Sequence, residues 1–434
     1  MDLLRYRRKA FGALAVKSLP LLYGGTVILF VNTHLSRELE LGIYSLSIAT
    51  FFIVSMIGKS FALYPLIKFI SEGQADHGIW KSGSLYWIGS QLAGALFVYG
   101  AAPFAPALFH APGLDEGMRW AACIILSFIP RDLASALLQA RREIRRLFFL
   151  EACYFIVATL GIIYFAYTGL LQSADQVLKL NLLGGIISTI IAPFICYRRI
   201  PAWKITEQRD WTKMASYGRD SLGIGVGDTV YTQLDYHLLG LFMGASEVAL
   251  YFAAKNFFRF YNAVTQAINL LIFPTSSNLF ARGEISKLRE LIEKVVGGYL
   301  LFLIIVNTIV ILTADMLVAL VYRGIFPDAA NLLRIFALAS FFEPLYMVSA
   351  NVLYGIGKPR AILVAMWSSL VLFGILAMIL MPRFGATGGA LTILGTLLSL
   401  SIITMWFLKR EIQVTLFSIF KRNFHILVQL IGNR

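Results

Sequence analysis

The sequence predicts an all-α polytopic membrane protein of about twelve transmembrane helices, arranged as two six-helix lobes related by a parallel pseudo-repeat. Three observations carry that prediction. Hydrophobic residues make up 58% of the 434 positions and charged residues only 14%, and the mean hydropathy is +0.73, far outside the range of soluble domains. Apolar runs of about 20 residues, the length that crosses a hydrocarbon core, recur along the whole chain. The basic residues between those runs fall preferentially on alternate sides, the charge asymmetry that orients membrane helices.

The runs occupy 11–32, 41–67, 83–108, 118–139, 147–169, 178–197, 216–242, 248–279, 295–319, 329–356, 361–381 and 387–408. The second, eighth and tenth exceed the length needed to span, which implies tilt, bending or extension beyond the bilayer. With the N-terminus inside, the inner segments collect Arg5, Arg7, Arg8, Lys9, Arg141, Arg142, Arg145, Arg146, Arg198, Arg199, Lys358, Arg360, Lys409 and Arg410 among others, whereas the outer loops hold Arg37, Arg119, Lys179, Arg323 and Arg383. Both termini are expected on the cytoplasmic side. The net charge of +14 is thereby a topology signal and calls for no nucleic-acid partner. Cys123, Cys153 and Cys196 all lie within predicted spans with no metal-ligand spacing, so they read as small apolar residues, with no metal site or disulfide framework expected.

Domain organisation follows from self-similarity. Leu41-Gly42-Ile43-Tyr44 recurs as Val248-Ala249-Leu250-Tyr251, Tyr64-Pro65 as Phe273-Pro274, and Ser127-Phe128-Ile129-Pro130 as Ser340-Phe341-Phe342-Glu343-Pro344. Six spans per copy mean that both copies enter the membrane in the same direction, as in transporters built from parallel repeats. The predicted parts are an N-terminal lobe over 1–197, a cytoplasmic linker over 198–215, a C-terminal lobe over 216–408 and a basic amphipathic interfacial tail over 409–434. Prolines at matching places in the two copies mark candidate hinges or sites.

Polar stripes on the spans supply the candidate site. Lys255, Arg259, Asn262, Gln266 and Asn269 recur at spacings of four, three, four and three, which places them within an arc of roughly 80° on one helix face. Lipid does not tolerate such a stripe, so it faces protein or a water-filled cavity and is a candidate substrate surface. Lys59, well inside the second span with no acid within one turn, joins it as a cavity residue. Ser221, Asp228, Thr232 and Asp235 form a negative stripe on the seventh span. Asp235 and Lys255 lie equally far from the turn at Gly244-Ala245-Ser246 and are expected to pair. Asp228, Asp235 and Glu343 are candidates for ion pairing or for carrying a coupling ion, H+ or Na+. Arg131, Asp132 and Glu151 read as a gate network. His237 reads as a packed core residue with a proton relay as the alternative. No nucleophile triad, carboxylate pair in a loop or metal spacing offers catalysis, and no cofactor is expected.

The segment Leu234-Asp235-Tyr236-His237-Leu238-Leu239-Gly240-Leu241-Phe242-Met243-Gly244-Ala245-Ser246, the turn Tyr354-Gly355-Ile356-Gly357-Lys358-Pro359-Arg360 and the motif Phe384-Gly385-Ala386-Thr387-Gly388-Gly389-Ala390 resemble the bacterial polysaccharide transporter family. These are oligosaccharide flippases of O-antigen and capsule pathways, in the multidrug/oligosaccharidyl-lipid/polysaccharide exporter superfamily. The resemblance implies movement of an undecaprenyl-pyrophosphate-linked oligosaccharide across the bacterial cytoplasmic membrane by alternating access, with Lys59, Lys255 and Arg259 on the helices that line the family's cationic cavity. Lipid-linked glycan, membrane lipids and polysaccharide assembly proteins are the partners it implies. A cation-coupled multidrug extruder of the same superfamily is the alternative, and a membrane-embedded sugar-lipid ligase or polymerase is a second. The lipid II flippases carry an arginine cluster in their first helix where this chain has Lys17 alone.

Overall fold

The computed structural model describes residues 18–35, 38–71, 77–141, 143–197 and 208–420. Within them helices predominate, and the described part of the predicted spans is largely helical. Helix α1 covers 18–34 and contains a π turn at Val27–Val31; α2 covers 38–71 with a π turn at Lys59–Leu63; and α3 covers 77–108. Helix α4 is broken into Leu114–Ser127 and Ile129–Ala140, and then come α5 (Ile144–Tyr167), α6 (Ala174–Ile195), α7 (Gln208–Met243), α8 (Ala245–Ala281) and α9 (Ile285–Tyr322). Helix α10 is broken into Ala329–Ser340 and Phe342–Gly355. The final stretch Pro359–Ile412 is two helices, α11 and α12, joined at Gly385, whose φ of 54° and ψ of −133° lie in a region open to glycine and closed to side chains. The bend separates the two apolar runs read at 361–381 and 387–408.

Among the described residues seven stretches, Pro359–Ile412 counted as one, are long and apolar enough to cross a membrane, or eight counting the pair Leu114–Ser127 and Ile129–Ala140, which bend by 43°. Helices α7 and α8 fall outside that set; their polar stripes dilute the apolar character. Large apolar side chains point outward along the rods, among them Leu96 and Phe97 on α3, Leu160 on α5, Ile190 on α6, Leu312 on α9 and Val371 on α11. Outward apolar side chains on so many helices are what a lipid solvent selects.

The chain divides into two compact units, Met1–Phe252 and Ala253–Arg434. In the first, α7 packs against α2 and α3, and α6 against α5 and the first half of α4. Leu63, Leu66, Trp80, Trp87, Leu137 and Met214 form one buried cluster there. In the second, Leu288, Ile292 and Val296 of α9 pack with Val348 and Val352 of α10 and Leu408 and Ile412 of α12. Val414 and Ile419, in the segment read as an interfacial tail, are fully buried in that same cluster, while Phe417 and Phe420 are exposed. Helix α7 already runs at Gln208, inside the segment read as linker, and Trp211 sets its ring edge against Tyr86 of α3 at 5.1 Å. The rest of the linker, 198–207, and the tail beyond 420 lie outside the described residues.

One close approach fixes α7 on α2. Pro65 has no N–H, so the α-helical bond to the Phe61 carbonyl is lost. Gly218 packs directly on that oxygen: a Cβ there would stand 2.3 Å from it. Gly218→Val is expected to cost about 1–3 kcal/mol through overpacking and to lower the thermal unfolding midpoint of the detergent-solubilised protein. Gly89→Ala is the contrast, since a Cβ at Gly89 meets nothing within 4 Å; it should hold or raise the midpoint, because alanine is favoured over glycine within a helix by about 0.5–1 kcal/mol.

Candidate functional site

In the first unit the site begins with two interrupted helices. The π turn of α2 opens at Lys59, whose carbonyl accepts the N–H of Tyr64 five residues on; such single turns within α-helices often mark functional sites. Helix α4 stops at Ser127 and restarts at Ile129 because Pro130 cannot continue the ladder. Side chains from neighbouring helices reach carbonyls beside the break: Thr189 Oγ1 donates to Ser127 O at 2.5 Å and Trp87 Nε1 to Ile129 O at 2.9 Å. A broken helix is tolerated at membrane depth when protein satisfies its backbone in this way.

The restart aims Arg131 and Asp132 inward, both buried. Lys59 Nζ stands 2.8 Å from Asp132 Oδ2, Arg131 Nη1 stands 2.7 Å from Asp132 Oδ1, and Arg131 Nη2 pairs with Glu151 on α5. Ser135 Oγ donates to the other Glu151 oxygen at 2.8 Å. The guanidinium also lies over the rings of Phe128 and Tyr154, at 4.7 and 5.1 Å. Asp132 sits in the first turn of its helix, where the peptide dipoles favour an anion. Two cations and two anions thus form a closed quartet, the arrangement that makes buried charge tolerable. Lys59 is its accessible end, with a side chain 29% exposed against 5% for Arg131 and 4% for Asp132. The structure therefore joins Lys59, read from sequence as a separate cavity cation, to the three residues read as a gate.

The quartet continues into uncharged partners that sequence reading passed over. Tyr154 and Tyr23 both donate to Asn181 Oδ1, at 2.6 and 2.8 Å, which ties α1 and α5 to α6. Asp235 on α7 accepts from the Tyr251 hydroxyl and from the Tyr236 N–H. It belongs to the first unit and Lys255 to the second, and both have partners beyond these.

In the second unit Lys255, Arg259 and Asn262 are half-buried on α8. The side chains of Gln266, Asn269 and Asp228 lie outside the described residues. On a neighbouring face of α8, Tyr261 donates to Asn307 Oδ1 at 2.7 Å, and Thr265 Oγ1 lies 2.9 Å from the Tyr299 hydroxyl. Asn307 in turn donates to Ser340 Oγ at 2.8 Å, at the break of α10. Ser401 Oγ donates to Phe342 O beside that break at 2.6 Å, so side chains from other helices reach carbonyls at both proline-containing breaks. Glu343, in the first turn after the break, is 2% exposed. No basic residue pairs with it among the described residues, and neither of its oxygens has a well-formed hydrogen bond. The hydroxyls of Thr265, Tyr261 and Tyr299 are polar groups near it among the described residues. Arg334 pairs with Asp315 on α9 at 2.5 Å, away from Glu343. No cluster of three or more His, Cys, Asp or Glu suited to a metal occurs among the described residues.

Comparison with known proteins agrees with this architecture. The lipid II flippase MurJ in an inward closed conformation superposes with a TM-score of 0.78 at 14% identity, covering 97% of this chain and 92% of that one. A multidrug resistance MATE family transporter in its inward-facing conformation gives 0.68 at 13% identity, covering 90% of this chain and 97% of that one. These likenesses establish a shared fold. A probable low-salt glycan biosynthesis flippase, Agl15, of Haloferax volcanii is 24% identical over 190 residues, 44% of this chain and 40% of that protein. An uncharacterized membrane protein of Methanocaldococcus jannaschii is 26% identical over 202 residues, 46% of this chain and 39% of that protein. The chain thus spans about two fifths of the length of the curated relatives it matches. The family model described as polysaccharide biosynthesis protein matches residues 81–331, more than half of the sequence, and the chain belongs to that family.

Proposed function

We propose that the protein is a flippase that moves a lipid-linked oligosaccharide, carried on a polyprenyl pyrophosphate, across the cytoplasmic membrane by alternating access. The observation that carries this reading is the family match over residues 81–331. The transporter fold supports it. So does the chemistry of each unit taken by itself: Lys59 at the accessible end of the quartet in the first, and Lys255 and Arg259 on one face of α8 in the second, suit an anionic cargo. A guanidinium offers a planar fork of donors that matches phosphate oxygens, so Arg259 is assigned the diphosphate contact. The protein acts as a transporter rather than an enzyme, resides in the inner membrane with both termini cytoplasmic, and works beside polysaccharide assembly proteins.

Coupling to a cation, H+ or Na+, is assigned to Glu343. A carboxylate buried without a cationic partner is costly in a membrane protein, and carrying a proton or a bound cation removes that cost. Asp235 instead has donors of its own.

Binding of a polyprenyl-pyrophosphate glycan to the purified protein in nanodiscs, beside an organic drug cation, tests the cargo. Arg259→Ala is expected to weaken glycan-lipid binding by about tenfold, or ~1.4 kcal/mol, with Arg259→Lys intermediate; binding of the drug cation alone, indifferent to Arg259, would indicate the multidrug extruder instead. Lys59→Ala is expected to slow flipping, and the double variant Lys59→Ala/Asp132→Asn to recover folding but not rate. Removing one member of a buried pair costs about 3–5 kcal/mol by stranding the other charge, and neutralising Asp132 lifts that cost without restoring the cation. Recovery of full rate in the double variant would make Lys59 a structural residue. Glu343→Gln is expected to leave glycan-lipid binding within about twofold and to abolish the response of flipping to an imposed proton or sodium gradient, read in proteoliposomes; an undiminished response would remove Glu343 from coupling.

A further inference from the structure

Where α2 ends and α7 begins, both within the first unit, two lysines from different helices converge on one pair of aromatic rings. Lys68 stands in the last turn of α2, and Lys213 in the second turn of α7, which starts at Gln208. Lys68 Nζ lies 4.0 Å from the ring centre of Tyr217 on α7 and 5.5 Å from that of Phe69. Lys213 Nζ lies 4.6 Å from the same Phe69 ring. The two rings meet edge to face at 5.6 Å. Phe69 is buried, Lys68 and Tyr217 are half-buried and Lys213 is exposed. The rings thus form a floor, and the two amines above it can be reached from outside the unit.

Neighbouring residues set the depth of this cluster. Trp211 turns its ring edge to Tyr86 on α3 at 5.1 Å, and the Tyr86 hydroxyl points at the Trp211 carbonyl, 3.4 Å away. Tyr and Trp concentrate where hydrocarbon gives way to headgroups. Here Tyr217, Trp211 and Tyr86 lie at the ends of apolar runs read at 216–242 and 83–108, and Lys68 follows directly on the run at 41–67. That is the level at which a phospholipid carries its phosphate, and lysines there attract anionic lipid. A lysine in such a place ordinarily extends its amine to water or to an acid. Lys68 instead holds its amine over a ring and makes no ion pair among the described residues. Lys213 has contacts beyond the ring; only its amine at Phe69 is needed here.

We propose that Lys68 and Lys213, held over Phe69 and Tyr217, bind the phosphate of an anionic phospholipid of the surrounding bilayer. A phosphodiester shares one negative charge between two oxygens, enough to accept from an amine of each helix. The bound headgroup joins the end of α2 to the start of α7, so the lipid composition of that leaflet bears on how firmly the two helices are held. By the orientation proposed above this is the cytoplasmic leaflet; nothing else here rests on that reading, and the site is separate from Lys59, Lys255 and Arg259.

The test is native mass spectrometry of the full-length protein in detergent, titrated with phosphatidylglycerol and, separately, with phosphatidylcholine of the same acyl chains. Phosphatidylglycerol is expected to bind more tightly. Lys68→Gln/Lys213→Gln should weaken it by about fivefold for each lysine, and Lys68→Arg/Lys213→Arg should retain it. Lys287→Gln/Lys294→Gln is the control for diffuse surface charge, since these lysines pair with Glu284 and Glu290; it should leave binding within about twofold. Equal binding of the two lipids, or equal loss in both Gln pairs, would overturn the proposal. Binding of inorganic phosphate that displaces phosphatidylglycerol would assign the site to a soluble anion, and preference for a polyprenyl diphosphate would assign it to the cargo; either overturns the phospholipid assignment. Arg259→Ala does not enter these measurements, so failure of the cargo reading and failure of this site are distinguishable.

Discussion

The structure depends on one constraint: in lipid, a charge or a free backbone group must find its partner within the protein. The ion quartet of Lys59, Arg131, Asp132 and Glu151 is the clearest case, and it explains the fold around it. Proline breaks α4 so that Arg131 and Asp132 turn inward at a helix start, and a π turn in α2 brings Lys59 to meet them. Thr189 and Trp87 then donate to carbonyls beside the break. The interruptions therefore serve as contact points between helices of the unit.

The second unit repeats the device with a different chemical result. Helix α10 breaks in the corresponding Ser-Phe…Pro motif, and Ser401 reaches the Phe342 carbonyl as Trp87 reaches that of Ile129. Where the first unit places Arg131 directly after its proline, the second places Glu343 directly before its own, among hydroxyls and with no cation paired to it among the described residues. The acid beside the break is thus paired in the first unit and, among the described residues, has no cationic partner in the second. A transporter coupled to a cation gradient can use that inequality, since a group that binds and releases an ion must not already hold a permanent partner.

Much of the architecture was legible in the sequence because hydropathy and charge asymmetry act over whole helices. Gly385 divides two apolar runs that the sequence already separates, and Pro130 and Pro344 sit at real breaks. The pairing of Lys59 was not legible. Its acid lies 73 positions away on another helix (132 − 59), and the absence of a neighbour within one turn says nothing about neighbours across a helix interface. For the same reason Tyr23, Tyr154 and Asn181, or Tyr261, Thr265 and Asn307, carry no signal as isolated polar residues; they become networks only when packing brings three helices together. Helix α7 shows the complementary effect. A lobe boundary placed at a hydrophilic linker follows sequence continuity, whereas α7 packs against α2 and α3 through close approaches such as Gly218 on Phe61.

The measurement that tests the account most directly is translocation in proteoliposomes of a fluorescent polyprenyl-pyrophosphate oligosaccharide, set beside efflux of a cationic dye from the same vesicles. The account predicts that the glycan lipid crosses to the opposite leaflet in a protein-dependent manner while the dye is retained. Dye efflux with no movement of the glycan lipid would contradict it, and would assign this fold and its buried charges to extrusion of cations.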